Sequence, residues 1–234
     1  MRQGTGPRRP GPGRGGRVRA EAAGDRAEAA ETRAEAAGDR AETGQAAASV
    51  IATKDLAVAR ALQSVMQRGV FRIYINHDVT GCEIGGALKN VVAIATGIAQ
   101  GLGVGDNTRA AVVTRGLAEL TRLGVAMGGE AATFAGLTGR GDLIATCMSP
   151  LSRNRTLGEQ LGAGRTLEEI TAQTRTVAEG VGTAHTVHDL AEGHGLEMPV
   201  CNEVYRVLTG EIHASEAYRG LTPYYQAGHE REPG

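Results

Sequence analysis

A lysine inside an apolar segment is the residue of this chain best placed to do chemistry. Lys89 and Asn90 lie in the most apolar stretch of the sequence. A buried lysine is costly unless it is partnered or faces a cleft, and loss of hydration makes a lysine a usable proton donor and acceptor. The alternative is an amine that extends from the first helical turn to solvent. Gly85 and Gly86 favour a cleft, because backbone without side chains lets another group approach closely.

A second group of polar residues is typical of a phosphate site. Ser152 is predicted to cap a helix that opens with Arg153 and Asn154. Backbone N–H groups at a helix start, together with an arginine, form a natural site for phosphate. The alternative is an exposed basic turn. Asp142, earlier in the chain, is a candidate for the same site, for a helix cap, or for both.

Glu179 is a third candidate, in the Gly-flanked apolar stretch of residues 176–181. Its carboxylate can accept hydrogen bonds from a ribose or an amide, but a loop carboxylate or a helix cap explains the pattern equally well. The histidines show no metal-ligand spacing, so we predict no metal site and a surface or structural role for His185 and His188. Cys147 has no local partner that marks it as a nucleophile, so we predict that it is structural.

Composition narrows the class of protein. The chain has 234 residues, of which 41% are hydrophobic, and a formal net charge of -1. This balance gives no drive toward nucleic acid or membrane, and no apolar run reaches transmembrane length. Three cysteines are an odd count without paired spacing. We therefore predict a cytoplasmic protein with no nucleic-acid partner and no membrane insertion.

Residues 1–43 are predicted to form a low-complexity, disordered tail. Gly11, Gly13 and Gly16 match a dinucleotide-binding string by letter, but Pro10 and Pro12 exclude the strand and the helix that such a motif needs. Arginines then recur every seven residues, and the blocks between them offer only alanine as an apolar residue. A coiled coil lacks a seam to bury there, and a role in nucleic-acid contact is disfavoured because the acidic residues cancel the charge.

The elements that must position these residues follow from hydrophobic periodicity. Residues 44–78 predict a β-α-β unit, with strands at 48–52 and 71–75 and a helix at 55–68, which suits the edge of a larger parallel sheet. Residues 79–225 predict a helical domain, with a buried helix from Gly85 onward and a second helix capped by Asp106. Arg115 and Glu119 are expected on a solvated face. Amphipathic segments follow at residues 166–173, 180–193 and 199–209.

Residues 43–209 resemble bacterial NAD(P)-dependent sn-glycerol-3-phosphate dehydrogenases. The resemblance rests on four strings in the family's order, at residues 79–91 (VTGCEIGGALKNV), 101–108 (GLGVGDNT), 141–147 (GDLIATC) and 149–155 (SPLSRNR). It implies a mainly α fold: an all-helical substrate domain like the C-terminal domain of 6-phosphogluconate dehydrogenase, preceded by a β-α-β remnant of a Rossmann domain.

The resemblance also implies an activity and its residues. The family interconverts dihydroxyacetone phosphate and sn-glycerol 3-phosphate with NAD or NADP, and so supplies a precursor of glycerophospholipids. By this likeness Lys89 is the catalytic lysine that gives a proton to the alkoxide and takes it back. The likeness places further residues at the substrate, namely Asp142, Thr146, Ser152, Arg153 and Asn154, and others at the cofactor, namely Arg153, Val177 and Glu179.

The sequence departs from the family in its first part. The Gly-rich cofactor loop and most strands of the nucleotide domain have no counterpart among these 234 residues, so we expect this chain alone to be impaired in cofactor binding. The alternative to an enzyme is a non-catalytic helical module that binds a phosphorylated triose or dimerises. A homodimer is compatible with either interpretation.

Overall fold

The computed structural model describes residues 46–173 and 178–217. The predictions made for residues 1–43, for Val177 and for the end of the chain lie outside these residues. The chain begins with β1 (Ala47–Ala52), α1 (Leu56–Met66) and β2 (Phe71–Asn76). The two strands pair in parallel, with Ala47 opposite Phe71 and Ala52 opposite Asn76. The predicted β-α-β unit is therefore confirmed, and Asp55 caps its helix.

A helical domain follows this unit, as predicted. Its elements are α2 (Val79–Gly101), α3 (Asp106–Ala126), α4 (Ala131–Ala135), a π-helical turn (Leu137–Gly141), α5 (Asp142–Met148), α6 (Arg153–Gly162), α7 (Leu167–Thr171), α8 (Glu179–His194), α9 (Pro199–Leu208) and a 3-10 turn (Ala214–Glu216). The fold class is thus mainly α with a small parallel sheet in front.

Helix α2 is the centre of the molecule. It packs against α3, α5, α6, α8 and α9, and the side chains from Val91 to Ala95 are fully buried. The sequence prediction that no apolar run reaches transmembrane length is wrong for α2, which within the described residues has the length and apolarity of a membrane span. However, 78% of its most apolar window is buried by the surrounding elements. Burial on all sides explains why this helix is apolar nearly all round.

The start of α2 differs from the prediction. The helix begins at Val79 rather than at Gly85, because Asp78 caps it by accepting a hydrogen bond from the N–H of Gly81 at 2.7 Å. The second carboxylate oxygen of Asp78 accepts the N–H of Glu130 at 2.8 Å. Burial raises the pKa of Asp78, but these backbone hydrogen bonds outweigh that effect and hold the pKa below its usual value.

Helix α6 lies against α2 with backbone touching backbone. A Cβ on Gly97 would come within 2.1 Å of the carbonyl oxygen of Arg155, and one on Gly158 within 2.1 Å of the carbonyl oxygen of Ile94. Gly101 and Gly162 make equivalent contacts one turn further on. Because α6 begins at Arg153, these glycines fix where the predicted phosphate site lies relative to α2.

Two predictions about α3 are wrong. Glu119 does not lie on a solvated face with Arg115: it is 1% exposed, and its carboxylate accepts the N–H groups of Val200 at 2.8 Å and Cys201 at 3.0 Å. Glu119 therefore binds the orphan donors at the start of α9, while burial raises the pKa of its carboxyl. Asp106 is the first residue of α3 rather than its cap, which is Gly105 without a side-chain hydrogen bond.

Candidate active site

Lys89 is fully buried and forms an ion pair with Asp142. Its side chain is 1% exposed, and the Nζ atom donates to Oδ2 of Asp142, whose side chain is 34% exposed. Helix α2 supplies the lysine, and the π-helical turn before α5 places the aspartate opposite it. The amine thus does not extend to solvent, and the pair has one buried end and one end within reach of a ligand. A buried charge needs such a partner.

Asp142 does not cap the helix that it opens. It is the first residue of α5, and no side-chain hydrogen bond caps that helix. Its carboxylate is directed instead to Lys89. One turn later, the hydroxyl of Thr146 donates to the carbonyl oxygen of Asp142 at 2.7 Å. The hydroxyl oxygen of Thr146 can still accept a hydrogen bond from a ligand.

The predicted phosphate group of residues lies at the start of α6. Ser152 is the N-cap, as predicted, and its hydroxyl accepts the N–H of Arg155 at 3.3 Å. Arg153 is the first helical residue, and its side chain is 56% exposed. A capped helix start with an exposed guanidinium beside it offers donors to an anion.

Glu179 joins this helix start to the lysine helix. Its Oε1 accepts from Nη2 of Arg153 at 3.2 Å, and its Oε2 accepts from Nδ2 of Asn90 at 3.2 Å. Asn90 is the neighbour of Lys89 in α2 and is 4% exposed. One carboxylate therefore bridges the predicted phosphate-binding arginine and the helix that carries the predicted catalytic lysine.

Asn154 joins α6 to α8, the helix that Glu179 opens. Its Oδ1 accepts the N–H of Gly180 at 2.8 Å, and a side chain on Gly180 would collide with that oxygen at 2.6 Å. The acceptor end of the amide is thus occupied by backbone, which leaves Nδ2 of Asn154 as a donor. A donor suits an oxyanion or a carbonyl oxygen.

The structure brings most of the predicted site residues to one region. Lys89 is linked to Asp142 and Thr146, and its neighbour Asn90 is linked through Glu179 to Arg153. Sequence reasoning noted that Asn90 needed a partner but did not place it in the site. The signal was its position next to Lys89 in the most apolar segment.

The β1–α1 turn does not fit the pyrophosphate of a dinucleotide. Such a site needs a glycine-rich turn whose helix N–H groups are free for phosphate. Here the turn has no glycine at residues 53–55, and Asp55 Oδ1 already accepts the N–H groups of Ala57 at 2.9 Å and Val58 at 3.1 Å. These N–H groups at the start of α1 are therefore not free for a phosphate.

Cys147 is buried, and two histidines pack on an aromatic ring. Burial raises the pKa of Cys147 to about 11, so it is a poor nucleophile at neutral pH. His188 stacks on the ring of Tyr205 at 4.0 Å between centroids, and His185 meets the same ring edge-on at 5.1 Å. In the part of the chain that the structure describes, no three His, Cys, Asp or Glu residues are grouped to hold a metal ion.

This fold and this site define a class: a helical domain, attached to a β-α-β unit, in which a buried lysine–carboxylate pair is connected to a capped helix start that carries an exposed arginine. The family model described as "NAD-dependent glycerol-3-phosphate dehydrogenase C-terminus" matches residues 78–219. The chain belongs to this family, as its resemblance had indicated.

Individual relatives agree with the family match. The chain is similar to "Glycerol-3-phosphate dehydrogenase [NAD(P)+] 2" of Sphingopyxis alaskensis, with 56% identity over 191 residues that cover 82% of this chain and 57% of the relative. A relative from Citrifermentans bemidjiense is 56% identical over 161 residues, which cover 69% of this chain and 48% of the relative.

A solved structure shares the fold. The crystal structure of glycerol-3-phosphate dehydrogenase from Coxiella burnetii matches with a TM-score of 0.69 and 39% identity, over 73% of this chain and 52% of that one. The chain thus spans about half the length of the curated relatives and of this crystal structure.

Proposed function

We propose that this chain supplies the substrate-binding, catalytic half of an NAD(P)-dependent sn-glycerol-3-phosphate dehydrogenase. The reaction would interconvert dihydroxyacetone phosphate and sn-glycerol 3-phosphate, a precursor of glycerophospholipids. The observation that carries the proposal is the buried Lys89–Asp142 pair, linked through Asn90 and Glu179 to Arg153 at the start of α6. Family membership supports the same activity.

Lys89 handles the proton in this proposal. In reduction its Nζ gives a proton to the alkoxide oxygen that forms from the substrate carbonyl, and in oxidation Nζ takes that proton back. Asp142 keeps the ammonium paired while the site is closed to water, because an unpaired buried charge costs several kcal/mol. Thr146 would place its hydroxyl beside the same substrate atoms.

The start of α6 holds the phosphate in this proposal. The guanidinium of Arg153 and the amide of Asn154 donate to the phosphate oxygens, and Ser152 shapes the turn that presents them. A phosphate fixed at one end of a three-carbon substrate leaves its carbonyl carbon toward Lys89. Positioning of this kind contributes much of the rate in group-transfer and hydride-transfer enzymes.

The cofactor is NAD or NADP, which supplies or accepts the hydride when bound. Arg153, Val177 and Glu179 would border it. The described residues offer no glycine-rich turn for its pyrophosphate, and the β1–α1 turn that they do contain is capped by Asp55, so we propose that cofactor binding by this chain alone is impaired. The same observation favours a second candidate, a module that binds a phosphorylated triose, or dimerises, without catalysis. A cytoplasmic location and a homodimer remain part of the proposal.

Binding of a phosphate ester tests the phosphate site that both candidate functions require. The purified 234-residue chain should bind sn-glycerol 3-phosphate in an isothermal titration, and Arg153→Ala should weaken that binding about ten- to hundredfold, because charge-assisted hydrogen bonds to phosphate are lost. Glycerol without phosphate should not bind detectably.

Arg109→Ala is the matched control, because Arg109 pairs with Asp106 on the surface of α3 and belongs to no part of the site. It should bind the ester as the parent does. Equal affinity of the parent and Arg153→Ala would remove the phosphate site from this helix start. To separate the two candidates, NADH oxidation with dihydroxyacetone phosphate is measured in the parent and in Lys89→Met, since turnover that depends on Lys89 requires the enzyme.

A further inference from the structure

Asn90 is a buried polar residue to which the proposed reaction assigns no part. It is 4% exposed in the apolar wall of α2, where an amide is costly unless it is hydrogen-bonded. Its Nδ2 donates to Oε2 of Glu179 at 3.2 Å, across 89 positions of sequence. This hydrogen bond therefore connects helix α2 to the first residue of α8.

The other oxygen of that carboxylate holds the arginine. Oε1 of Glu179 accepts from Nη2 of Arg153 at 3.2 Å, and both side chains are partly open to solvent, at 31% and 56% exposure. An exposed ion pair fixes little by itself, because solvent screens it and both side chains keep their freedom. The hydrogen bond from the buried amide of Asn90 restricts the rotamers of the Glu179 carboxylate. The carboxylate in turn restricts the orientation of the Arg153 guanidinium.

The geometry also decides which part of the guanidinium meets a ligand. Arginine presents several N–H donors in a planar fork. With Nη2 held by Glu179, the remaining N–H groups are the ones left for an anion. Gly180, the next residue, is fixed in the same way by Asn154 Oδ1. The start of α8 thus orients both donors of the proposed phosphate site.

We infer that Asn90 is a positioning residue, which acts through Glu179 to orient Arg153 toward the phosphate of the substrate. The inference rests on the proposed function and deepens it. It gives Glu179 a second part beyond a border of the cofactor. It also connects the phosphate end of the site to Asn90, the residue next to Lys89. Helix α2 would then position both ends of a short substrate.

An exchange of the amide at position 90 and the carboxylate at position 179 tests this inference. Asn90→Asp sets two carboxylates against each other, so that Glu179 turns away and affinity for sn-glycerol 3-phosphate should fall about tenfold. Adding Glu179→Gln restores a donor and an acceptor between the two positions, with the amide oxygen still facing Arg153. The double variant should recover to within about threefold of the parent. Inorganic phosphate, titrated in parallel, should follow the same order.

A second readout separates positioning from general loss of structure. The NMR signal of Nε–H of Arg153, assigned by its absence in Arg153→Ala, should show restricted motion in the parent and the double variant and free motion in Asn90→Asp. Should Asn90→Asp fail to fold, Asn90→Leu replaces it, with the same losses expected, because leucine has a similar volume and cannot donate to Glu179.

The outcomes are distinct. A parent chain that binds no phosphate ester overturns the proposed function and this inference with it. A parent that binds, with Arg153→Ala weakened but Asn90→Asp equal to the parent in affinity and in Arg153 motion, overturns this inference alone. Failure of the double variant to recover would also overturn it, since a merely structural asparagine is not rescued by exchanging donor and acceptor.

Discussion

Lys89 and Asp142 differ sharply in how far each is removed from water. The lysine side chain is 1% exposed and the aspartate side chain 34%. The buried ammonium therefore depends on Asp142 to offset the free energy that it loses by leaving water. The methylene groups of Lys89 pack as those of a methionine would. Removing one partner of a buried ion pair is costly because it leaves an uncompensated buried charge. Loss of Asp142 leaves the ammonium of Lys89 buried, whereas loss of Lys89 leaves a carboxylate that still reaches water.

We predict opposite effects for the two single variants. Asp142→Asn should lower the free energy of unfolding by about 1–3 kcal/mol, a range reduced for the partial exposure of the carboxylate. Lys89→Met should leave it unchanged or raise it. Urea denaturation at neutral pH measures both. In the Lys89→Met background Asp142→Asn should cost much less, and an equal cost in both backgrounds would show that the amine does not depend on this carboxylate.

The sequence predicted the burial of Lys89 but not the partners of Lys89 or Glu119. The cost of burying Lys89 is visible in its own neighbours, so its burial could be predicted. Its partner Asp142 lies 53 positions away, and neither the residue pattern nor the family resemblance predicted this ion pair. Glu119 shows the same limit: its spacing from Arg115 suggested a surface pair, but its true partners are backbone N–H groups 81 and 82 positions later. Local spacing carries no information about such contacts.

At the scale of elements, four glycines set the distance between α2 and α6. Gly97 and Gly101 on one helix meet the backbone of the other, and Gly158 and Gly162 return the contact. Glycine in a helix interior costs about 1 kcal/mol relative to alanine, so its presence here reflects close packing rather than local preference. The helix that begins with Arg153 is held against the helix of Lys89 by this contact.

Gly158→Ala should therefore be strongly destabilising. Its new methyl group would lie 2.1 Å from the carbonyl oxygen of Ile94, and separating two packed helices costs about 1–3 kcal/mol or more. Gly193→Ala, within α8, is the control, because a Cβ there meets nothing within 4 Å. It should be neutral or stabilise by up to about 1 kcal/mol. Thermal unfolding of both variants checks the prediction, and equal melting temperatures would contradict it.

Most helices and strands could be predicted because their hydrophobic periodicity is strong. The residues at which they begin and end were predicted less accurately. The start of α2 was missed because Gly81, Gly85 and Gly86 weaken helix propensity. Tertiary contacts compensate: Asp78 caps the first turn, and a Cβ on Gly81 would collide with its carboxylate at 2.0 Å. Close approach, which a sequence does not display, explains the glycine at position 81.

At the scale of the whole molecule, exposed apolar side chains concentrate on the β-α-β unit. Those of α1 and the segment after it are between 40% and 64% exposed, and they are Leu56, Val58, Leu62, Val65, Met66, Val70 and Tyr74. A two-stranded sheet with such a face is marginal alone. Contiguous apolar surface and open strand edges favour association between molecules.

We predict that the 234-residue chain self-associates through this face. Replacing Leu62 and Val65 by lysine, one helical turn apart on α1, should lower the weight-average mass measured by sedimentation velocity, because it places charge in the middle of the apolar surface. Val125→Lys with Leu151→Lys is the matched control: it adds the same charge at two apolar positions exposed elsewhere, at 45% and 79%. Since the chain carries a net charge of only -1, added charge alone also opposes association. An equal reduction in both double variants would assign the effect to charge and not to the β-α-β face.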